Sequence, residues 1–155
     1  MKKAVLIPLL IIFLFSLLAL GEKYNPFSFL TSASPEISSP SDWIKENQIQ
    51  VYPNKVILEI NQPMWSSFTN TNSMDPFLDE TANAIEIKPQ SPEQIKVGDI
   101  ISYQTEYGLI IHRVIEKGED ELGPYFIVKG DNNINKDPFK VRFEDIKGVL
   151  VAIIY

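Results

Sequence analysis

The chain has 155 residues, of which 45% are hydrophobic and 22% are charged, as is ordinary for one globular domain with short appendages. It contains no cysteine and a single histidine, which excludes disulfide frameworks, thiol catalysis and zinc sites built from cysteines or several histidines. The formal net charge is −6 although two of the basic residues are Lys2 and Lys3, so the body of the chain is acidic and predicts no nucleic-acid partner.

Residues 4–20 form an apolar run directly after the two N-terminal lysines. A helix over this run would be about 25 Å long, slightly shorter than a hydrocarbon core of about 30 Å. Two interpretations remain open: residues 1–21 are an uncleaved membrane anchor, which the length of the run favours, or a signal peptide cleaved after the small-x-small residues 19–21. Both keep the lysines in the cytoplasm. We therefore predict a single-pass protein of the cell membrane that contacts lipid through residues 4–20, with the rest on the extracytoplasmic side.

Residues 22–45 contain several prolines and serines and show neither a helical nor a strand period. This composition predicts a linker that holds the following domain away from the membrane. Near its end, Ser41 and Asp42 could cap a short helix over residues 43–46.

Residues 46–155 carry the patterns of short strands bounded by turn residues. The predicted strands are residues 55–60, 83–88, 99–103, 109–115, 125–129 and 148–155. Residues 106–108 are predicted to form a hairpin turn. Strands of this length and spacing predict a mainly β domain, built as an antiparallel sheet or barrel with little helix.

Three polar stretches interrupt these apolar patterns: residues 71–76, His112 and residues 129–138. Taken alone, each favours a structural interpretation. Ser73 and the Gly-Asp-Asn-Asn segment are typical of turns. His112 shares a strand face with Ile110 and Val114, which predicts a buried histidine bonded to a backbone carbonyl.

Taken together, the three stretches offer the groups of a serine hydrolase. A serine hydroxyl is a poor nucleophile at neutral pH and needs a base within hydrogen-bond distance. Because the chain has one histidine, that base would be His112. The imidazole needs an acceptor on its other nitrogen, and Asp131 and Asp137 are both candidates that the residues alone do not separate.

At these residues the chain resembles the type I signal peptidases. The motifs occur in the family's order as Ser73-Met74-Asp75-Pro76, Gly98-Asp99-Ile-Ile, His112-Arg113-Val-Ile and Lys129-Gly-Asp-Asn-Asn with Asp137-Pro. The histidine is similar to the endoplasmic-reticulum and archaeal type, whereas the main bacterial type has a lysine there. The resemblance covers about residues 69–155, and an N-terminal membrane anchor also matches. It implies a signal-peptidase-like antiparallel β domain.

The resemblance implies a role for each site residue and no metal or organic cofactor. Ser73 would be the nucleophile and His112 the general base, with Asp137 orienting the imidazole and Asp131 supporting the site. The oxyanion hole would use the backbone N–H of Ser73 and the hydroxyl two residues upstream, here that of Thr71.

The implied function is a membrane-bound serine endopeptidase that removes N-terminal signal peptides from exported proteins. The substrate would bind in extended form along a sheet edge, with small residues at the first and third positions before the cut. The family usually has Ser-Gly where this chain has Thr71-Asn72, and asparagine tolerates the left-handed conformation such a turn needs. An alternative is an inactive relative that only binds peptides. A further alternative, an unrelated β domain, would hold Ser73 and His112 far apart.

Overall fold

A computed structural model describes residues 36–155 of the chain. The predicted anchor or signal peptide and most of the predicted linker lie outside the described residues. Ile37–Tyr155 form one compact unit, so this unit begins earlier than the residue 46 expected from the sequence. Trp43 belongs to it because its side chain packs against the apolar core. No helix within residues 36–155 is long and apolar enough to cross a membrane.

The described part of the chain is built from short strands and three single-turn 3₁₀-helices. The strands are β1 (Ile49–Tyr52), β2 (Lys55–Leu58), β3 (Met64–Ser67), β4 (Asn83–Ile87), β5 (Ile100–Thr105), β6 (Gly108–Asp120), β7 (Gly123–Lys129), β8 (Val141–Arg142) and β9 (Ile146–Ile154). The 3₁₀-helices are Glu46–Gln48, Pro92–Gln94 and Phe143–Asp145. The prediction of a mainly β, antiparallel domain is confirmed.

The strands form two sheets. β1 and β2 pair with each other, and the remaining strands form a seven-stranded sheet in the order β3-β4-β9-β5-β6-β7-β8, with every neighbouring pair antiparallel. Successive side chains of a strand face opposite sides of the sheet. On β5, Ile101 and Tyr103 belong to one buried apolar cluster and Ile100 to another. The sheet is therefore packed on both faces around β5.

Each of the six predicted strands matches an observed one, with ends shifted by a few residues, and the turn after β5 lies at Glu106 and Tyr107 as predicted. The sequence patterns did not show β1, β3 or β8. β3 lacks apolar alternation and β8 has only two residues, while β1 is mostly exposed and alternates over only four residues.

The prediction of a short helix over residues 43–46 is wrong. The backbone N–H of Ser41 donates to the buried Asp99 carboxylate at 2.6 Å, and its carbonyl accepts from the Trp43 N–H at 3.0 Å. The backbone groups of Ser41 are therefore used in a long-range contact with Asp99 and in a tight turn, and the residue does not cap a helix. The nearest helical turn is the 3₁₀-helix Glu46–Gln48.

β6 shapes the region of the predicted site because its two edges are paired to different extents. One edge pairs with β5 from Gly108 to Arg113, whereas the other pairs with β7 only from Arg113 onward. Residues 109–112 therefore have one edge without a strand partner in the described sheet. This unpaired edge ends at His112.

Candidate active site

Ser73 lies in the loop between β3 and β4, beside the buried Met74. Asn72 has a φ of +64°, so the asparagine adopts the left-handed conformation considered for it from the sequence. The Ser73 Oγ is 3.2 Å from the Thr71 Oγ1. The Ser73 backbone N–H makes no hydrogen bond to the described residues. The turn thus presents a hydroxyl pair and a free amide together.

His112 is buried, as predicted, with 7% of its surface exposed. Its Nδ1 lies 2.9 and 3.0 Å from the two carboxylate oxygens of Asp137, so its partner is a carboxylate rather than a backbone carbonyl. Within the described chain, Nε2 makes no hydrogen bond. A proton held on Nδ1 by the carboxylate leaves a lone pair on Nε2, the state a general base requires.

Tyr103 is a third member of this cluster that the sequence analysis missed. Its hydroxyl donates to the Asp137 carboxylate and lies 3.2 Å from the His112 Nδ1. Burial, and then the hydrogen bond with Asp137, raise the pKa of the Tyr103 hydroxyl well above its usual range, so it remains a donor. Strand alternation could have found this residue, because Tyr103 shares a face of β5 with Ile101, the cross-strand partner of His112.

The Asp137 carboxyl is subject to opposing influences. Burial raises its pKa, whereas the hydrogen bonds from His112 and Tyr103 lower it, and the net result is a pKa below the usual value. Asp137 therefore stays ionised beside the imidazole. A fixed carboxylate at Nδ1 orients the ring and stabilises the cation that forms when Nε2 takes up a proton.

Asp131 does not contact the imidazole. Its carboxylate accepts from the Arg113 Nε at 2.7 Å and from Nη2 at 2.6 Å, a bidentate pair. The Arg113 Nη1 donates to the Gly98 carbonyl at 2.8 Å. Arg113 is thus ion-paired, with only 7% of its surface exposed. Asp131 thus joins the loop after β7 to the residue that follows His112.

The loop of residues 130–137 joins the two halves of the site. The Asn132 N–H donates to the Ser73 carbonyl at 3.0 Å, and the Asn132 side chain donates to the Asn72 carbonyl at 2.9 Å. At Gly130, a Cβ would lie 2.5 Å from the Ser73 carbonyl oxygen, so the close approach requires glycine. Because Asp137 is at the other end of this loop, one segment holds both the serine turn and the imidazole.

Ser73 and His112 line one cleft of about 430 Å³. The rest of the lining comes from Ser66, Ser67, Phe68, Thr69, Thr71, Met74, Leu78, Glu86, Ser102, Leu109, Ile110 and Ile111. No hydrogen bond joins the Ser73 Oγ to the imidazole in the described structure, and the serine hydroxyl is paired with Thr71 instead. Catalytic hydrogen bonds are often long without substrate and shorten when it binds.

The chemistry that this cleft offers is that of a hydroxyl, an imidazole and a carboxylate. Within residues 36–155, no three histidine, aspartate or glutamate side chains are grouped so that they could hold a metal ion. The arrangement is suited to nucleophilic attack by Ser73 with proton transfer through His112.

Comparison with known proteins gives one local similarity. No protein-family model matches the chain, and no solved structure matches it. An uncharacterized protein of Methanocaldococcus jannaschii is 46% identical over 44 residues, a stretch that covers 28% of this chain and 22% of that protein. This likeness is too short to assign a family.

Proposed function

We propose that the chain is a membrane-bound serine endopeptidase of the signal-peptidase type with a histidine base, which removes N-terminal signal peptides from exported preproteins. The observation that supports this most is that Ser73 and His112 line one cleft, while the loop of residues 130–137 is bonded to both the Ser73 turn and the His112 imidazole. The order of the sequence motifs supports it independently.

In the proposed reaction, the Ser73 Oγ adds to the scissile carbonyl carbon while the His112 Nε2 takes the hydroxyl proton. The C–N bond then breaks as Nε2 gives that proton to the leaving amine, and an acyl ester on Ser73 remains. Water adds to the ester while Nε2 takes one of its protons, which returns to the Ser73 Oγ as the new carboxyl group leaves. Asp137 keeps its negative charge throughout and stabilises the imidazolium.

Two donors near the Ser73 Oγ are suited to the negative charge on the tetrahedral intermediate. These are the Ser73 backbone N–H, which has no partner among residues 36–155, and the Thr71 hydroxyl, 3.2 Å from the Ser73 Oγ. A donor in such a position is worth about 2.7–4 kcal/mol at the transition state. The Thr71-Asn72 turn therefore keeps the groups needed, although it departs from the family's usual Ser-Gly.

The unpaired edge of β6 at residues 109–112 would receive an extended substrate as an added strand. Backbone hydrogen bonds to this edge would bring the scissile bond towards His112. Because strand side chains alternate, every second substrate residue would face the cleft. The predicted membrane segment at residues 4–20 would keep the proposed enzyme attached to the membrane that preproteins cross.

A second candidate function is that of an inactive relative which binds peptides without cleaving them. The observation that favours it is the position of the Ser73 hydroxyl, which pairs with Thr71 rather than with His112. Under this alternative the same cleft and strand edge would bind the peptide, and no acyl-enzyme would form.

Cleavage of a purified preprotein by the full-length chain in detergent distinguishes the two candidates. We expect the unaltered chain to release the signal peptide and the Ser73→Ala and His112→Ala variants to lose turnover by about 10³-fold or more. Ser91→Ala, a serine outside the cleft, serves as the matched control and should retain full activity. Equal hydrolysis by wild type and Ser73→Ala would remove Ser73 from the mechanism, and no hydrolysis by either would favour the peptide-binding alternative.

A further inference from the structure

A second acidic side chain lines the same cleft. Glu86 of β4 has only 2% of its surface exposed, and the chemistry proposed above does not use it. One carboxylate oxygen, Oε2, accepts a hydrogen bond from the Ser102 hydroxyl of β5. No other side-chain hydrogen bond or ion pair within residues 36–155 reaches the Glu86 carboxylate. Trp43 Nε1 is the one buried side-chain polar atom without a hydrogen-bond partner among residues 36–155, so the Glu86 Oε1, which has no partner either, keeps some access to the cleft.

The surrounding strands make room for this carboxylate. β9 runs between β4 and β5, and Gly148 of β9 is the cross-strand partner of Ser102. A Cβ at Gly148 would overlap the Glu86 Oε2. Gly148 does not have a positive φ, so its lack of a side chain serves the close approach rather than a turn. Glu86, Ser102 and Gly148 are therefore packed closely together, and the Glu86 carboxylate and Ser102 form part of the wall of the cleft.

The other walls near this carboxylate are apolar. They are formed by Phe68, Met74, Leu78 and Ile111. A lysine or arginine side chain combines an apolar stem with a cationic head, so the stem would pack on these walls while the head reaches the carboxylate. A small side chain such as alanine would fill little of the cleft and would bring no donor to the Glu86 carboxylate.

We propose that the cleft contains a subsite for a basic substrate side chain and that Glu86 is the specificity-determining residue. This inference rests on the proposed function and deepens it, because it adds a basic position to the small residues expected from the resemblance. The positive charge of the substrate would meet Glu86, which has only 2% of its surface exposed, and a charge pair at such a site discriminates against neutral side chains.

Peptide hydrolysis by the full-length chain tests the subsite. Fluorogenic peptides would differ at one position at a time before the cut and carry lysine, norleucine or alanine there. Norleucine has the lysine stem without the amine, so it isolates the charge. We expect one position at which lysine raises kcat/KM over norleucine by about tenfold or more. Glu86→Gln should bring that ratio close to one, whereas Glu116→Gln, an exposed acid on β6, should leave it unchanged.

The inference is overturned if no position favours lysine or if Glu86→Gln keeps the preference. Should Glu86→Gln fail to fold, competition on the unaltered chain decides: n-hexylamine should inhibit cleavage of the lysine peptide more strongly than 1-hexanol does. Equal inhibition by the two compounds would mean that Glu86 and Ser102 serve only the packing of the sheet.

A protein that cleaves no peptide can be distinguished from one that has no subsite for a basic side chain. If the wild type cleaves no peptide, fluorescence anisotropy with labelled peptides still measures binding to the full-length chain. A Kd about tenfold lower for the lysine peptide than for the norleucine peptide, lost in Glu86→Gln, would support the subsite in a protein that does not cleave. Equal values of Kd would overturn it.

Discussion

His112 and Arg113 are consecutive residues of β6, and each is bonded to an aspartate at one end of the same loop. Arg113 uses Nε and Nη2 on Asp131 and Nη1 on the Gly98 carbonyl. His112 uses only Nδ1, on Asp137, and leaves Nε2 without a partner in the described structure. We call the Arg113–Asp131 pair closed, because the guanidinium is bonded to its partners through all three nitrogens. We call the His112–Asp137 pair open, because His112 lines the cleft and its Nε2 has no partner in the described structure.

The difference shows how one loop can serve both structure and reactivity. A buried arginine whose three guanidinium nitrogens each already donate a hydrogen bond has little capacity left for a substrate, and its pairing fixes the loop to the strand. A histidine with one occupied nitrogen is held in position while its other nitrogen remains available for proton transfer. Changes to the two aspartates should therefore have effects of different kinds.

The largest expected effect is on catalysis by the open pair. Asp137→Asn keeps the size of the side chain and removes its charge, so the imidazolium is no longer stabilised and the tautomer is no longer fixed. We expect kcat to fall by about 10³- to 10⁴-fold while the circular dichroism spectrum stays that of the wild type. Single-turnover peptide hydrolysis measures this change, and a loss smaller than tenfold would argue that Asp137 does not assist His112.

The next effect is on stability through the closed pair. Asp131→Ala leaves the Arg113 guanidinium buried without its carboxylate and should lower the free energy of unfolding by about 3–5 kcal/mol. Urea denaturation measures it. The double variant Arg113→Met, Asp131→Leu is the control and should cost less than Asp131→Ala alone, because it leaves no uncompensated charge. Unchanged stability of Asp131→Ala would contradict the closed character of this pair.

A third effect tests the loop that carries both aspartates. Gly130→Ala puts a methyl group 2.5 Å from the Ser73 carbonyl oxygen, so the loop or the serine turn must move. A displacement of about 1 Å can cost about 10²-fold in rate, and we expect a loss of that order in kcat. The control is Gly123→Ala, which is strained by a φ of +94° but has open space around its Cβ. It should lower stability by about 1 kcal/mol and leave the rate unchanged.

The smallest expected effect concerns Tyr103, whose hydroxyl donates to the Asp137 carboxylate. Tyr103→Phe removes the hydroxyl that helps to lower the pKa of Asp137, so this pKa should rise towards its ordinary value. A carboxyl with a lowered pKa in the folded state adds stability above its unfolded pKa of about 3.9 and loses it as the pH falls through the folded value.

Tyr103→Phe should therefore lose less stability than the wild type between about pH 5 and pH 2, as measured by urea midpoints across that range. Activity at neutral pH should fall by about tenfold or less, because Asp137 remains bonded to His112. A steeper acid-induced loss of stability in the variant than in the wild type would contradict the lowering of the Asp137 pKa by Tyr103.

The sequence predicts those parts of the fold whose patterns are local. Strand patterns located β2, β4, β5, β6, β7 and β9 and placed His112 on an inward face. The exposed strands β1 and β3 have only four residues each and bury little apolar surface, so neither shows a strand pattern long enough to identify it. The two-residue strand β8 is too short to show a period at all.

At the candidate site, the sequence named the groups and left their pairing open. Asp131 and Asp137 are the same residue type on one loop, and only the path of that loop decides which of them reaches the imidazole. The direction of the Ser73 hydroxyl is a side-chain rotation, which no sequence pattern records. Tyr103 and Glu86 appeared as ordinary strand residues because their partners are distant along the chain.

The docking of segment 130–137 also bears on when a newly folded chain could carry out the proposed reaction. With the sheet formed but this segment undocked, the serine turn would lack its Asn132 contacts and the imidazole its carboxylate. The two halves of the site would then not be aligned. The proposed peptidase activity would therefore require the docking of this eight-residue segment.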